Sequence, residues 1–146
     1  MIRLTLAFLV LAVAPAWANL DAAKAEPNLE KRSGLALENA SQALRAAQDA
    51  YMAQGDMKKV SASLEEVSAS VELAYDSLQQ THKNPSRSPK YFKKAEIDIR
   101  ALSRRLDDFR AQMSVEDRDQ IDKVRAVVQK ADDGLLEGIM GGKKKE

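Results

Sequence analysis

Four stretches of this chain repeat apolar residues at alternating steps of three and four. In the first, from about Asn28 to Gln54, the repeating set is Leu37, Ala40, Leu44, Ala47 and Tyr51, with a row of Ala36, Ala43 and Ala50 beside it. The second, from about Met57 to His82, carries Met57, Val60, Leu64, Val67, Val71, Ala74 and Leu78. The third, from about Lys90 to Gln112, carries Phe92, Ala95, Ile99, Leu102, Leu106, Phe109 and Met113. The fourth carries Ile121, Val124, Val128, Ala131 and Leu135, and fades by Gly138, Gly141 and Gly142. This spacing places each set on one face of an α-helix, because residues three and four apart stack along the same side. The residues between are charged or polar, so each helix has a core face and a wet face. On the wet side of the third helix, Glu96–Arg100 and Arg104–Asp108 are spaced as (i, i+4) ion pairs.

Punctuation between the stretches is short. Gly55 suits the left-handed end of a helix and Asp56 the N-cap of the next, so the first two helices must fold back as a hairpin. The second helix is flanked by Ser61, Ala62, Ser63, Ser68, Ala69 and Ser70. These small residues opposite the alanine row predict a closely packed hairpin. Asn84 to Pro89 is the one real loop, with Ser88 as expected N-cap and Pro89 as first helical residue. Ser114 to Asp117 resembles a capping box with Asp in the third place. Gly34 leaves the start of the first helix open, with Leu35 as an alternative beginning.

Short connections make antiparallel neighbours. The pattern therefore predicts an all-α fold: an antiparallel up-down-up-down four-helix bundle over 28–138, with two stacked helical hairpins as the alternative. Residues 19–27 show no period and read as a flexible arm. Residues 139–146 read as a Gly/Lys-rich tail.

Composition adds an address. Arg3, the apolar run Leu4 to Val13, the helix breaker Pro15 and the small-x-small triplet Ala16-Trp17-Ala18 fit a signal peptide, 1–18, cleaved after Ala18. The run is too short to span a bilayer, which takes about 20 apolar residues. The expected destination is the periplasm or the exterior, with no transmembrane segment after cleavage. Removing that segment removes Arg3 from 23 basic residues and nothing from 22 acidic ones, which leaves the two signs equal. A chain without net charge has no global field for nucleic acid, so nucleic-acid binding is not expected. There is no cysteine, so no thiol chemistry, thiolate metal site or disulfide can contribute.

Tyr51-x-x-x-Gly55-Asp56, with Leu44 and Ala47 before it and Leu64 after it, resembles the turn of a tetratricopeptide repeat. The resemblance spans about Leu44 to Val67 and implies a single compact helical hairpin. The helices here are nearly twice the length usual for that repeat. Val60 stands where the repeat has Ala, and no second copy is visible. The match therefore implies convergence on a good turn rather than a peptide-binding array. As a whole the chain resembles the small secreted helical proteins common in bacterial genomes, a likeness of general character that brings no function with it.

Catalytic and metal chemistry find little footing. A di-metal bundle needs inward carboxylates and two Glu-x-x-His motifs, whereas the chain has one histidine, His82, and no carboxylate in any apolar set. Asp117, Asp119 and Asp122 lack the glycine and terminal Glu of a calcium loop. His82 reads as a cation at the negative end of the second helix. No enzyme activity, metal or cofactor is expected. One local charge feature stands out. Lys83, Arg87, Lys90, Lys93 and Lys94 lie in a stretch without any acid between Asp76 and Glu96, interleaved with Tyr91 and Phe92. They are the candidate contact for an anionic envelope component. The leading expectation is a non-catalytic exported helical interaction or structural protein with a protein partner. The alternative is an envelope-surface binder using the 83–94 segment.

Overall fold

The structure is a computed structural model and describes residues 20–141. The expected signal peptide and the lysines of the tail, Lys143 to Lys145, lie outside the described residues. Five α-helices account for the described chain: α1 (Leu20–Ala25), α2 (Leu29–Gln54), α3 (Met57–Gln80), α4 (Lys90–Gln112) and α5 (Arg118–Met140). A single 3-10 turn, Val115–Asp117, precedes α5. No strand occurs among the described residues, and no helix there is long and apolar enough to cross a membrane. The fold is an all-helical bundle.

The apolar sets form its core. Leu37, Ala40, Leu44 and Ala47 are buried on α2, and Val60, Leu64, Val67, Val71, Ala74 and Leu78 on α3. All seven on α4 and its cap, Phe92 through Met113, and all five on α5 are buried as well. Helix ends follow local chemistry. Asn28 caps α2 by accepting the Lys31 amide at 2.9 Å. Gly55 closes the same helix at φ 63°, and Asp56 caps α3 through the Lys59 amide at 3.3 Å. Gly34 does not delay α2, which runs unbroken from Leu29.

Cross-helix bonds set the directions. Lys83 pairs with Glu30, and Asn39 Nδ2 donates to Ser70 Oγ at 2.8 Å and to Glu66 Oε1 at 3.1 Å. The start of α2 thus meets the end of α3, and the pair is antiparallel. Arg110–Asp122 at 2.6 Å and Arg125–Asp107 at 2.7 Å make α4 and α5 antiparallel too. Between hairpins, Arg105 Nη1 donates to Ser41 Oγ at 2.6 Å. Further along both helices, Tyr51 meets Phe109 edge to face at 5.7 Å. So α2 and α4 run the same way. The Tyr75 ring likewise covers Gly134, and Pro85, just past α3, covers Gly138. Consequently α3 and α5 also run the same way. Around the bundle the order is α2, α3, α5, α4, with α2 and α5 on opposite corners. The chain does alternate up and down, and the neighbours are those of two hairpins laid on one another. Of all pairs, α2 and α3 approach most extensively.

Several local expectations change. The segment expected as a flexible arm contains α1, with Ala23 buried and Leu20 packed against the core. Two apolar residues three apart anchor this short helix on the bundle, a contact that periodicity over so few residues cannot signal. Glu26 pins the joint to α2. Its carboxylate accepts the Asn28 amide at 3.1 Å and pairs with Lys31 at 3.3 Å. That amide hydrogen bond is the largest cause holding the Glu26 carboxyl below its usual value. Ser88 does not cap α4, which begins at Lys90 with Pro89 in the cap position. Of the two ion pairs expected on α4, Glu96–Arg100 forms, but Glu96 is buried rather than wet. Arg104–Asp108 is not among the ion pairs of the described residues.

The Ser114–Asp117 box does not cap α5 either, because Tyr51 takes both of its groups. The Ser114 amide donates to the Tyr51 hydroxyl at 2.9 Å, and that hydroxyl donates to Asp117 Oδ2 at 3.1 Å. Ser114 Oγ donates to the same oxygen at 2.7 Å. A tyrosine of the first hairpin thus ties down the turn of the second. Tyr51→Phe keeps the ring on Phe109 and removes both bonds. It is expected to lower unfolding stability by about 1 to 2 kcal/mol in urea titrations. A change near zero would mean that water replaces the hydroxyl without loss.

Candidate functional site

The structure divides the basic segment. Lys83 is committed to Glu30 across the first hairpin, and Lys94 to Asp98 at 2.9 Å within α4. The acid-free run along the chain is therefore partly neutralised in space. Arg87 and Lys93 are exposed and have no ion-pair partner among the described residues. Lys90 lies 5.3 Å from the centroid of the Tyr91 ring. These three cations face outward from the loop and the first turn of α4, where no acid offsets them. Phe92 is core and Tyr91 is 38% exposed. His82 follows the end of α3 in a left-handed conformation, φ 54°, its amide donating to the Gln79 carbonyl at 3.1 Å.

A larger feature lies beside Tyr91. Where the hairpins stack, α2 and α4 leave an open groove of about 860 Å³. Its floor is Leu35, Leu37, Ala101 and Leu102, and Tyr91 stands at one end. Lys31, Glu38, Lys94 and Asp98 form the rims, and Arg105 bridges to Ser41 at the other end. Arg105 also donates Nη2 to the Ser41 carbonyl at 3.2 Å. Partial burial pushes the Arg105 guanidinium below its usual value, and the neighbouring Arg45 charge adds to that. Reading the sequence does not find this groove. Ser41 and Arg105 are 64 positions apart, and only the stacking of α2 on α4 joins them.

A second groove, about 1050 Å³, lies between α3 and α5. Tyr75 lies over Gly134 there, and Glu72, Asp76, Asp133 and Glu137 make its rims acidic. Among the described residues no group of three or more His, Cys, Asp or Glu is arranged to hold a metal ion. Asp122 and Asp117 are already engaged with Arg110, Arg125 and Tyr51.

One acidic contact between α4 and α5 is partly buried. Asp132 Oδ1 has no hydrogen-bond partner, and Glu96 faces it while pairing with Arg100. Burial raises the Asp132 carboxyl above its usual 3.8, and Glu96 and Asp133 raise it further against the pull of Arg100. The fold therefore favours the protonated form. The destabilising contribution is absent below the unfolded value near 3.8 and grows as pH rises through the folded value. Asp132→Asn is expected to raise the melting temperature at pH 7, with the difference closing below about pH 3.8. An equal gain at both pH values would mean that the charge is not the cause.

Comparison with known proteins returned no matching family model, no similar curated protein and no similar solved structure.

Proposed function

We propose that this protein is a non-catalytic exported helical module that holds a partner protein in the groove between α2 and α4. The observation carrying this reading is the groove itself. Three leucines and Ala101 pave a surface that no other helix of the bundle covers, and charged rims border it. Apolar surface flanked by polar residues marks an interaction site more often than a solvated face. The signal-like segment at 1–18 supports export. The five cations of 83–94 support a second reading, an anionic envelope surface as the partner, through Arg87, Lys90 and Lys93, the three that no acid neutralises.

Gly34 makes the test clean. A Cβ added there would meet nothing within 4 Å, and the position is inside a helix. Gly34→Leu should fill the groove while leaving α2 intact or firmer by about 0.5 to 1 kcal/mol. A photoreactive residue in place of the exposed Ala101 would report what lies in the groove. We expect one protein adduct from the native envelope, lost with Gly34→Leu. Envelope polymer or lipid recovered instead, and lost when Arg87, Lys90 and Lys93 are reversed in charge, would support the surface-binding reading. No adduct in either experiment would overturn both.

A further inference from the structure

We propose that the groove between α3 and α5 takes a lysine- or arginine-bearing helix of a partner protein, its apolar stripe on the floor and its cations on the rims. The inference stands apart from the α2–α4 groove and does not need it. The α3–α5 groove, about 1050 Å³, is lined by α3 from Glu72 to Asp76 and by α5 from Ala126 to Glu137. Tyr75, Ala126, Val127 and Ala131 make its floor, and Tyr75 lies over Gly134. The α5 wall is about 18 Å long, the length of a helix of about 12 residues. Two helices running the same way side by side leave a furrow for the apolar stripe of a third.

The charges select the sign of the occupant. Four carboxylates, Glu72 and Asp76 on α3 and Asp133 and Glu137 on α5, line the groove against one ammonium, Lys130. All four are exposed, and none is in an ion pair among the described residues. Asp133 accepts the Gln129 side-chain amide at 2.8 Å. Helix α3 offers no counter-charge, since no Lys or Arg lies between Lys59 and Lys83. On α5, Lys123 is one turn before Val127 and outside the lining. At the far end Pro85 covers Gly138; of the cations beside it, Lys83 is paired with Glu30 and Arg87 is outside the lining. Asp76 adjoins Tyr75 and Asp133 adjoins Gly134, so the two acidic rows flank the place where the helices touch. Each row sets like charges at (i, i+4), which repel along a helix. Cations laid between the rows relieve both repulsions and gain charge-assisted hydrogen bonds. No three of these carboxylates are arranged to hold a metal ion, so cations spread along a chain match them better than a single ion does. The same rims would repel an anionic bilayer.

The test uses a capped, fluorescently labelled peptide of about 12 residues, a length set by the helix rise. Its leucines are spaced three and four apart, and its lysines flank that stripe. A twin carries Gln for each Lys. Anisotropy titrations of the purified protein should show the Lys peptide binding at least about tenfold more tightly at low salt, an advantage that shrinks as salt is raised. Asp76→Asn combined with Asp133→Asn should remove most of that advantage. Glu65→Gln combined with Glu116→Gln, at exposed acids outside the groove, should leave it. Ala126→Trp should weaken both peptides alike, because Ala126 lines the groove and is exposed. Every side chain substituted is exposed, so each variant should fold as the parent does, and circular dichroism would verify this. Equal binding of the twins, or an equal loss in the two acid-pair variants, would overturn the selection of cations by this groove. Unchanged affinity in Ala126→Trp would place binding elsewhere and overturn the site. No binding of either peptide would overturn the helical occupant. Sedimentation of the protein alone supplies the last arm. Self-association that is lost both in the Asp76→Asn, Asp133→Asn variant and on charge reversal of Arg87, Lys90 and Lys93 would make a second copy the occupant and overturn the separate partner. None of these results bears on the α2–α4 groove, which the Ala101 adduct judges.

Discussion

Leu106→Ala is expected to lower unfolding stability by about 2 to 5 kcal/mol, the largest effect of any substitution considered. Leu106 has no exposed surface and lies between Leu102 and Phe109 on the buried face of α4. Truncation removes the transfer free energy of its side-chain carbons. It also leaves a cavity that neighbours close only partly, because the core is packed on all sides. Five of the seven buried apolar residues of that face are leucine, isoleucine or phenylalanine, so little small-residue slack exists nearby to refill it. Thermal melting and urea denaturation should agree on the loss. A shift near zero would show that α4 does not rest on the rest of the bundle through this face.

Ala47→Leu should lower stability by about 1 to 3 kcal/mol for the opposite reason, overpacking. Asn39 reaches Ser70 and Glu66 on α3, and Ala43 and Ala47 follow it at one and two turns along the same row. Ala43 is 1% exposed and Ala47 has no exposed surface. Three added carbons at that contact have no space unless α2 and α3 separate. Separation would stretch the hydrogen bond from Asn39 Nδ2 to Ser70 Oγ, so exchange of the Asn39 side-chain amide protons should quicken along with the fall in stability. Unchanged exchange and stability would mean that the hairpin has room to spare.

The core was legible in the sequence because period alone identifies a buried face. Nearly every apolar residue spaced three and four apart is buried, including all of Phe92, Ala95, Ile99, Leu102, Leu106, Phe109 and Met113. The Gly55–Asp56 turn was legible because the left-handed φ and the side-chain cap are properties of one or two residues. Where a second partner competes, local rules fail. Tyr51 takes Ser114 and Asp117 from their expected capping roles, and Asp132 and Glu96 meet on a face that reads as wet. The 83–94 cations were legible as a run, but Glu30 and Asp98 neutralise two of the five.

What the sequence alone determined is therefore the four long helices, their inward faces and the position of the first hairpin turn. Those follow from backbone geometry and the burial of apolar surface, which act over a few residues at a time. Only the tertiary structure decided the order around the bundle, with α2 beside α4 and α3 beside α5. It also decided the docking of α1, the groove, and the meeting of Arg105 with Ser41. Both stacked hairpins and a sequentially ordered bundle bury the same apolar faces. The choice between them depends on side-chain fit between helices far apart in the chain, such as Tyr75 over Gly134, Pro85 over Gly138 and Arg105 on Ser41.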